Sequence, residues 1–181
     1  MPISAETYER VALEDDDRVW ELHCGRLVEK PGVTVEHADV LNMLAVMLGR
    51  QLDPGRYRVR ANTSRTRWSP AGYFVPDVCV VPDELAQKLR GTGALEVYTD
   101  PLPFVAEVWS PSTGRYDVNT KLPEYQRRGD AEIWRIHPYE RTVTVWRRRP
   151  DGSYAETLHR EGVLSLAALP DVRIDLAALF V

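Results

Sequence analysis

The chain has 181 residues, 44% hydrophobic and 28% charged, a composition typical of a globular domain with a buried core and unlike that of a disordered or fibrous protein. Its formal net charge of −4 argues against a uniformly basic nucleic-acid-binding protein. No apolar run approaches a membrane span and the opening "MPISAETYER" lacks the features of a signal peptide, so we expect one domain over residues 1–181, in the cytoplasm, with no membrane partner.

The first third of the chain predicts two helices separated by a β-hairpin. Ser4 suits the N-cap of a short first helix, and "RVWELHCGRLVEK" (18–30) reads as a hairpin that turns near residues 24 and 25. Leucines at helical spacing then predict a long helix from Val35 to Leu52, which the following "DPG" ends.

The middle of the chain predicts strands with one irregular connection. Two short strands are expected at 56–61 and 63–68, and the β-branched run "YFVPDVCVV" (73–81) predicts one central strand. Residues 82–100 show no clean period, so we expect a loop with some helix. A further apolar strand is predicted at 103–108.

The last third predicts a helix, a hairpin and an apolar tail. The helix should begin near residues 117–119, because Pro123 is tolerated only in a first turn, and Gly129 should end it. "AEIWRIHP" and "RTVTVWRR" then predict a hairpin. This order of elements indicates an α/β or α+β fold with a mixed β-sheet flanked by helices.

Two carboxylates and one lysine occupy positions that are unusual for purely structural residues. Asp77 lies within the run 73–81, Glu107 lies near the end of the strand 103–108, and Lys121 is expected in the first turn of the following helix. A buried carboxylate is costly unless a cation compensates it, so each acid predicts a positive partner. An ammonium near a helix N terminus likewise favours a nearby anion.

These three residues fit the chemistry of phosphodiester hydrolysis. Two acids on neighbouring strands repel each other unless a cation lies between them, and their hard oxygens suit Mg²⁺, or Mn²⁺ in its place. Such an ion lowers the pKa of a bound water and neutralises charge on a phosphate oxygen, while a lysine orients the water or stabilises the transition state. The spacing alone is also compatible with a purely structural role, in which arginine side chains or backbone amides form hydrogen bonds to both acids.

Several motifs resemble the Uma family of putative restriction endonucleases, which belongs to the PD-(D/E)XK nuclease superfamily. They are "PDV" at 76–78, "EVWSPST" at 107–113, and the spacing of Asp117, Lys121 and Tyr125 before "RGDAEIWRIHP". "VWELHCGRLVEKP" and "EH" at 36–37 also resemble the N-terminal part of that family, so the likeness covers almost the whole chain.

The resemblance implies a restriction-endonuclease-like core, a four-stranded mixed sheet flanked by helices, in which Asp77 and Glu107 bind the metal and Lys121 completes the catalytic set. The superfamily pattern places a lysine two residues after the second acid, where this chain has Trp109. The resemblance implies that the lysine has moved to the next helix as Lys121, with Tyr125 beside it at the i+4 position.

Two further sets of residues are candidates for supporting roles. Glu36 and His37 could reach the site as metal-shell or proton-transfer groups, and Tyr125 could order Lys121 or touch a phosphate; each has a structural alternative in helix capping or packing. Trp68 could stack on a base. The expected phosphate contacts, which could equally be a solvated strand face, are Arg56, Arg58, Arg60, Arg65 and Arg67.

The first hypothesis is therefore a Mg²⁺-dependent DNA endonuclease in which Asp77→Ala, Glu107→Ala and Lys121→Ala each abolish cleavage, with the thermal midpoint intact or raised. Trp109 motivates a second hypothesis, a catalytically inactive nucleic-acid-binding or regulatory module on the same fold. A third is a structural interaction domain. The apolar C-terminal "LAALFV" suits either the core or the interface of a homodimer.

Overall fold

The computed structural model describes residues 2–180, in which thirteen strands form three sheets. The helical elements are α1 (Ala5–Glu14), α2 (Val35–Gln51), α3 (Asp83–Gln87), α4 (Gly114–Tyr116), a π-helical turn (Asp117–Lys121), α5 (Leu122–Arg128) and α6 (Leu176–Leu179). The strands are β1 (Trp20–His23), β2 (Arg26–Glu29), β3 (Tyr57–Ala61), β4 (Arg65–Arg67), β5 (Gly72–Phe74), β6 (Val78–Pro82), β7 (Val97–Tyr98), β8 (Phe104–Val108), β9 (Glu132–His137), β10 (Thr142–Arg148), β11 (Tyr154–His159), β12 (Val163–Ser165) and β13 (Arg173–Asp175).

The largest sheet is mixed and has six strands in the order β11-β10-β9-β8-β6-β3. Only the central pair β8 and β9 is parallel; the other neighbours are antiparallel. A second sheet of five strands has the order β2-β1-β5-β4-β7, and β12 pairs with β13. The resemblance predicted a four-stranded core, and this sheet extends it to six strands.

Alternation along the central strands divides the core into two layers. Val78 and Val80 of β6 face a cluster that α2 and the C-terminal segment cover, whereas Cys79 and Val81 face a cluster with α3 and α5. On β8, Val105 and Glu107 lie on the second of these faces by the same alternation. The sheet therefore directs Glu107 toward the helices α4 and α5.

The apolar C-terminal tail belongs to the core. Leu176, Leu179 and Phe180 are buried in the same cluster as α2, while Val181 lies outside the described residues. These side chains thus lie inside the fold and not on an exposed interface. Within residues 2–180, no helix is both long and apolar enough to cross a membrane.

Many predicted local elements are confirmed. Ser4 caps α1 by accepting a hydrogen bond from the amide of Thr7. The first hairpin turns at Cys24 and Gly25, whose φ angles of 50° and 75° match the left-handed conformations that such tight turns require. Gly129 ends α5 in the left-handed conformation, with φ 88°.

The single strand predicted over residues 73–81 was wrong. Strand β5 ends at Phe74 in the five-stranded sheet, and β6 begins at Val78 in the six-stranded sheet. Pro76 lies in the break, where its missing N–H could not join a ladder. Asp77 therefore lies just before β6, at the junction of the two sheets. Residues 82–100 contain α3 as expected, but also the short strand β7, which the sequence did not predict.

The predicted start of the last long helix was also wrong. Helical structure begins at Gly114 and runs through the π-helical turn into α5, so Lys121 lies in the middle of a helical segment. Pro123 is accommodated because the preceding turn is widened: the amide of Leu122 donates to the carbonyl of Asp117, five residues back. The π turn relieves the clash that the prediction assumed only a helix start could avoid.

Candidate active site

Strand register places Asp77 and Glu107 next to each other. Strands β6 and β8 are antiparallel with Val78 opposite Ala106, so the next pair outward is Asp77 and Glu107. At this end of the two strands, the backbone amide of Val108 donates a hydrogen bond to Asp77 Oδ2 at 2.7 Å. Both acids are buried, with exposed fractions of 2% and 4%. Two carboxylates therefore meet at the sheet junction, as the sequence predicted.

Asp77 is held by two cationic or polar side chains. Lys30 Nζ, at the end of the first hairpin, lies 2.7 Å from Asp77 Oδ1, and His37 Nε2 of α2 lies 3.2 Å from Oδ2. Burial by itself would raise the pKa of the Asp77 carboxyl, but Lys30 and His37 outweigh it and hold that pKa well below its usual value. Asp77 is therefore a carboxylate throughout the neutral pH range.

Glu107 is held from the helical side. Tyr125 of α5 donates its hydroxyl to Oε1 at 2.5 Å, and Lys121 Nζ lies 3.2 Å from Oε2. Burial raises the pKa of Glu107 to about 8, and the negative charges of Asp77 and Asp117 add to that rise against the opposing effect of Lys121. Glu107 can therefore exchange a proton near neutral pH in the metal-free protein.

Lys121 lies at the centre of three carboxylates. Its Nζ is 2.9 Å from Glu21 Oε1 on β1 and 3.6 Å from Asp117 Oδ1 within the π-helical turn, in addition to Glu107. Burial would lower the pKa of Lys121, but the surrounding acids raise it well above its usual value. Lys121 is therefore a permanent ammonium at neutral pH.

The cluster as a whole carries more negative than positive charge. Two lysines face four buried acids, so two negative charges lack a cationic partner when every acid is ionised; the acids are Glu21, Asp77, Glu107 and Asp117. Burial, together with the neighbouring acids, also raises the pKa of Asp117, whose Oδ1 accepts no hydrogen bond. The deficit equals the charge of one divalent cation.

A tight cavity of about 10 Å³, which has room for about one water molecule, lies among these groups. It is lined by both lysines and by the three acids Asp77, Glu107 and Asp117, together with His37 and Thr113. Within residues 2–180, no group of three or more His, Cys, Asp or Glu side chains is arranged to hold a metal as it stands. The oxygen chemistry and the charge deficit nevertheless fit a hard divalent ion.

The comparisons with known proteins agree with this fold. The family Uma2, described as "Putative restriction endonuclease", matches residues 5–177. The chain belongs to the Uma2 family. The predicted family resemblance is thereby confirmed over nearly the whole sequence. No match was found among curated proteins.

A solved structure shares the fold of this Uma2 chain. It is the crystal structure of a putative nuclease belonging to DUF820 from Anabaena variabilis ATCC 29413, with a TM-score of 0.76 and 18% sequence identity. The likeness covers 99% of this chain and 98% of that chain. It confirms the predicted α+β class with a mixed sheet flanked by helices.

Of the six predicted catalytic, metal-binding and supporting residues of this Uma2 chain, five come together and one does not. His37 and Tyr125 each contact one of the two acids, beside Lys121. Glu36 is exposed and its carboxylate accepts a hydrogen bond from Tyr139 at 3.1 Å, outside the cluster. The catalytic and metal-binding roles of these residues remain predictions. For Glu36, the position of the side chain gives such a role no support.

Trp109 fills the place of the superfamily lysine but plays a packing role. Its ring stacks on His137 with centroids 4.2 Å apart, and a Cβ added to Gly114 would lie 2.0 Å from Trp109 Nε1. The start of the helical segment thus approaches the sheet closely at this point. That approach brings Lys121 within reach of Glu107 from the helix.

The predicted arginine surface is divided between two sheets. Arg58 and Arg60 of β3 lie 2.7 Å from Asp83 and Glu96 respectively, so a phosphate would have to compete with these acids. On β4, Arg67 lies over the ring of Tyr73, and Arg65 donates a hydrogen bond to a backbone carbonyl. Arg56, just before β3, is exposed beside Tyr57. Phosphate contact by these five residues, and base stacking by the exposed Trp68, remain predictions.

Three members of the cluster were not predicted as site residues, although Asp117 was part of the family spacing. They are Lys30, Glu21 and Asp117. Glu21 carries the same signal as Glu107, an acid in an apolar strand, within "VWELH". A second signal is the scarcity of lysine: of the 23 Lys and Arg residues only Lys30, Lys88 and Lys121 are lysines, and two of them lie in this cluster.

Proposed function

We propose that this Uma2 chain is a single-domain nuclease that hydrolyses phosphodiester bonds in DNA with the help of Mg²⁺ or Mn²⁺. One observation carries the proposal: two buried acids meet across β6 and β8 beside a buried lysine, in a cluster that is two positive charges short. The family match supports a nuclease, and the family and fold likenesses both span nearly the whole chain.

The ion would be held by oxygen ligands already present at the sheet junction. Asp117 Oδ1 accepts no hydrogen bond, Asp77 Oδ1 faces the Lys30 ammonium alone, and Glu107 would complete the set. When bound, a divalent ion lowers the pKa of a coordinated water and neutralises charge on the phosphate. With every acid ionised the cluster would hold two uncompensated buried charges, which are costly, and their compensation supports such an ion.

Lys121 and Glu107 would then have separate roles. Lys121 is a permanent ammonium, so it supports the orientation of water and the stabilisation of negative charge, and not proton removal. Glu107 would act as a metal ligand, because a bound ion would displace the proton that its raised pKa of about 8 otherwise retains near neutral pH. Tyr125 orients Glu107 through its hydroxyl, and His37 orients Asp77.

Cleavage of supercoiled plasmid DNA tests the proposal. We expect nicking with Mg²⁺ or Mn²⁺ and none with EDTA, and a loss of at least ~100-fold in Asp77→Asn, Glu107→Gln and Lys121→Met. Glu36→Gln is the matched control, because Glu36 is acidic and close in sequence to His37 but lies outside the cluster. Full activity of any of the three cluster variants would refute the role given to that residue.

Trp109 supports a second candidate, a nucleic-acid-binding module without catalysis. In that case DNA binding should need no divalent ion, and Asp77→Asn should bind DNA as tightly as the wild type. An electrophoretic mobility assay in EDTA and in Ca²⁺ separates the two candidates, because Ca²⁺ binds oxygen ligands. The metal-dependent nuclease should bind DNA more tightly in Ca²⁺ than in EDTA, whereas the binding module should bind DNA equally in both. The homodimer remains a prediction that analytical ultracentrifugation would check.

A further inference from the structure

Lys30 has a distinctive place in the cluster. Its side chain is 10% exposed and its Nζ contacts three oxygens, Asp77 Oδ1 at 2.7 Å, Asn62 Oδ1 at 2.6 Å and the carbonyl of Val75 at 2.8 Å. Two of these oxygens are neutral and come from the two chain segments that flank the sheet junction. The ammonium of Lys30 is therefore fixed in position independently of Asp77.

Asp77 offers only one open oxygen. Oδ2 accepts the amide of Val108 and contacts His37, which fill its two lone pairs. Oδ1 lies 2.7 Å from the Lys30 ammonium, which occupies one of its two lone pairs and leaves the other open. Any ion that Asp77 binds must approach Oδ1, beside the fixed ammonium of Lys30.

We infer that Lys30 is a built-in counter-ion that weakens divalent metal binding at Asp77, so that the free protein binds the ion less tightly than its carboxylates alone would allow. The inference rests on the proposed function, because it concerns the same metal site. Two cations at one carboxylate oxygen repel each other, and Lys30 cannot move away without losing both neutral partners. A substrate phosphate, which adds negative charge next to the ion, would offset this repulsion.

The choice of residue agrees with this role. The chain has 23 Lys and Arg residues of which only three are lysines, yet lysines provide both cations of the cluster. An ammonium is a compact point charge, whereas a guanidinium forks across a carboxylate and would cover both oxygens. Lysine at position 30 thus compensates Asp77 and leaves its open oxygen accessible.

Mn²⁺ titration calorimetry of the full chain tests the inference. We expect Lys30→Met to bind Mn²⁺ at least tenfold more tightly than the wild type, and Asp77→Asn to lose binding. Lys88→Met makes the same chemical change at an exposed lysine and should leave the affinity unchanged. Equal or weaker binding by Lys30→Met would overturn the inference and leave the proposed metal site standing.

A second variant covers the case in which Lys30→Met fails to fold. Asn62→Asp places a carboxylate against Lys30 Nζ and neutralises its field without touching Asp77, and aspartate tolerates the φ of 55° at this position. It should also tighten Mn²⁺ binding and enlarge the rise in thermal midpoint that Mn²⁺ causes. Absence of Mn²⁺ binding in all variants would overturn both this inference and the metal-dependent function.

Discussion

Removal of the Lys121 ammonium is the sharpest test of the charge balance in the cluster. Lys121→Met keeps the length of the side chain and removes the cation that lies 2.9, 3.2 and 3.6 Å from three buried acids. The sequence-based hypothesis expected such a substitution to leave the thermal midpoint intact or raised. The structure leads us to expect the opposite, because the acids would lose their shared partner.

The size of the effect follows from these distances. At an effective dielectric constant of about 20, one unit charge at 3.2 Å contributes roughly 5 kcal/mol of attraction, much of which offsets the cost of burying the ions. Breaking a buried ion pair by removing one partner typically costs about 3–5 kcal/mol. Glu107 limits the loss, because its pKa of about 8 lets it take up a proton. We therefore expect a destabilisation of about 3 kcal/mol at pH 8.

The loss should depend on pH in a defined direction. Removal of the ammonium raises the folded-state pKa of the neighbouring acids further, so stability decreases as pH rises toward those values. Below pH 8 Glu107 carries a proton in the wild type as well, so the difference between the two proteins shrinks only where a further acid, Asp117, takes up a proton in the variant alone; that uptake is worth up to about 1.4 kcal/mol per pH unit. The destabilisation should accordingly shrink to about 1 kcal/mol or less at pH 6.

Chemical denaturation in EDTA at the two pH values measures this difference, and Lys88→Met serves as the control for loss of a lysine at an exposed position. For a chain of this size, about 3 kcal/mol corresponds to roughly 6–12 °C in thermal midpoint. A loss below about 1 kcal/mol at pH 8, or the same loss at both pH values, would refute the charge-balance argument.

Three further outcomes are expected. The folded-state pKa of Glu107 is raised from 4.5 to about 8, so between these two pH values folding binds a proton that the unfolded chain does not hold. The free energy of unfolding in EDTA should therefore fall by roughly 1 kcal/mol per pH unit as pH rises from 4.5 to about 8. Urea titrations of Glu107→Gln should lack this slope. Gly114→Ala should cost about 1–3 kcal/mol by calorimetry, because its Cβ meets Trp109, and a smaller residue at 109 should recover part of the loss. Arg58→Ala combined with Arg60→Ala should reduce the salt slope of DNA binding by about two, and an unchanged slope would reject them as phosphate contacts.

The local pattern of the sequence was enough to identify the two acids. Glu107 is recognisable because it is the one charged residue in an otherwise apolar strand. A carboxylate that is buried in such a strand requires a polar or cationic partner. The same rule would have identified Glu21 in β1, which is equally buried. Lys121 was identified by its expected place in the first turn of a helix and then by the motif spacing of the family, although the structure places it one turn further into the helix.

The strand break and the π-helical turn were beyond local pattern. The run 73–81 is rich in valine and aromatic residues and gives no periodicity by which to assign its two halves to different sheets. Pro76 was the one available signal. Pro123 was interpreted as a helix start because an α-helical interior excludes proline. A widened turn removes that exclusion, and its formation depends on packing of the whole segment against the sheet.

The sequence by itself determined the class of fold, the burial of Asp77 and Glu107, and the family to which the chain belongs. Only the tertiary structure decided which cation faces which acid. Lys30 reaches Asp77 from the first hairpin, and Glu21 reaches Lys121 from β1, across separations of 47 and 100 residues that no local period records. The alternation of apolar and polar residues within a strand indicates which face of that strand is buried. The order of the strands in the two sheets determines which side chains meet across the buried face, and therefore the net charge of the cluster.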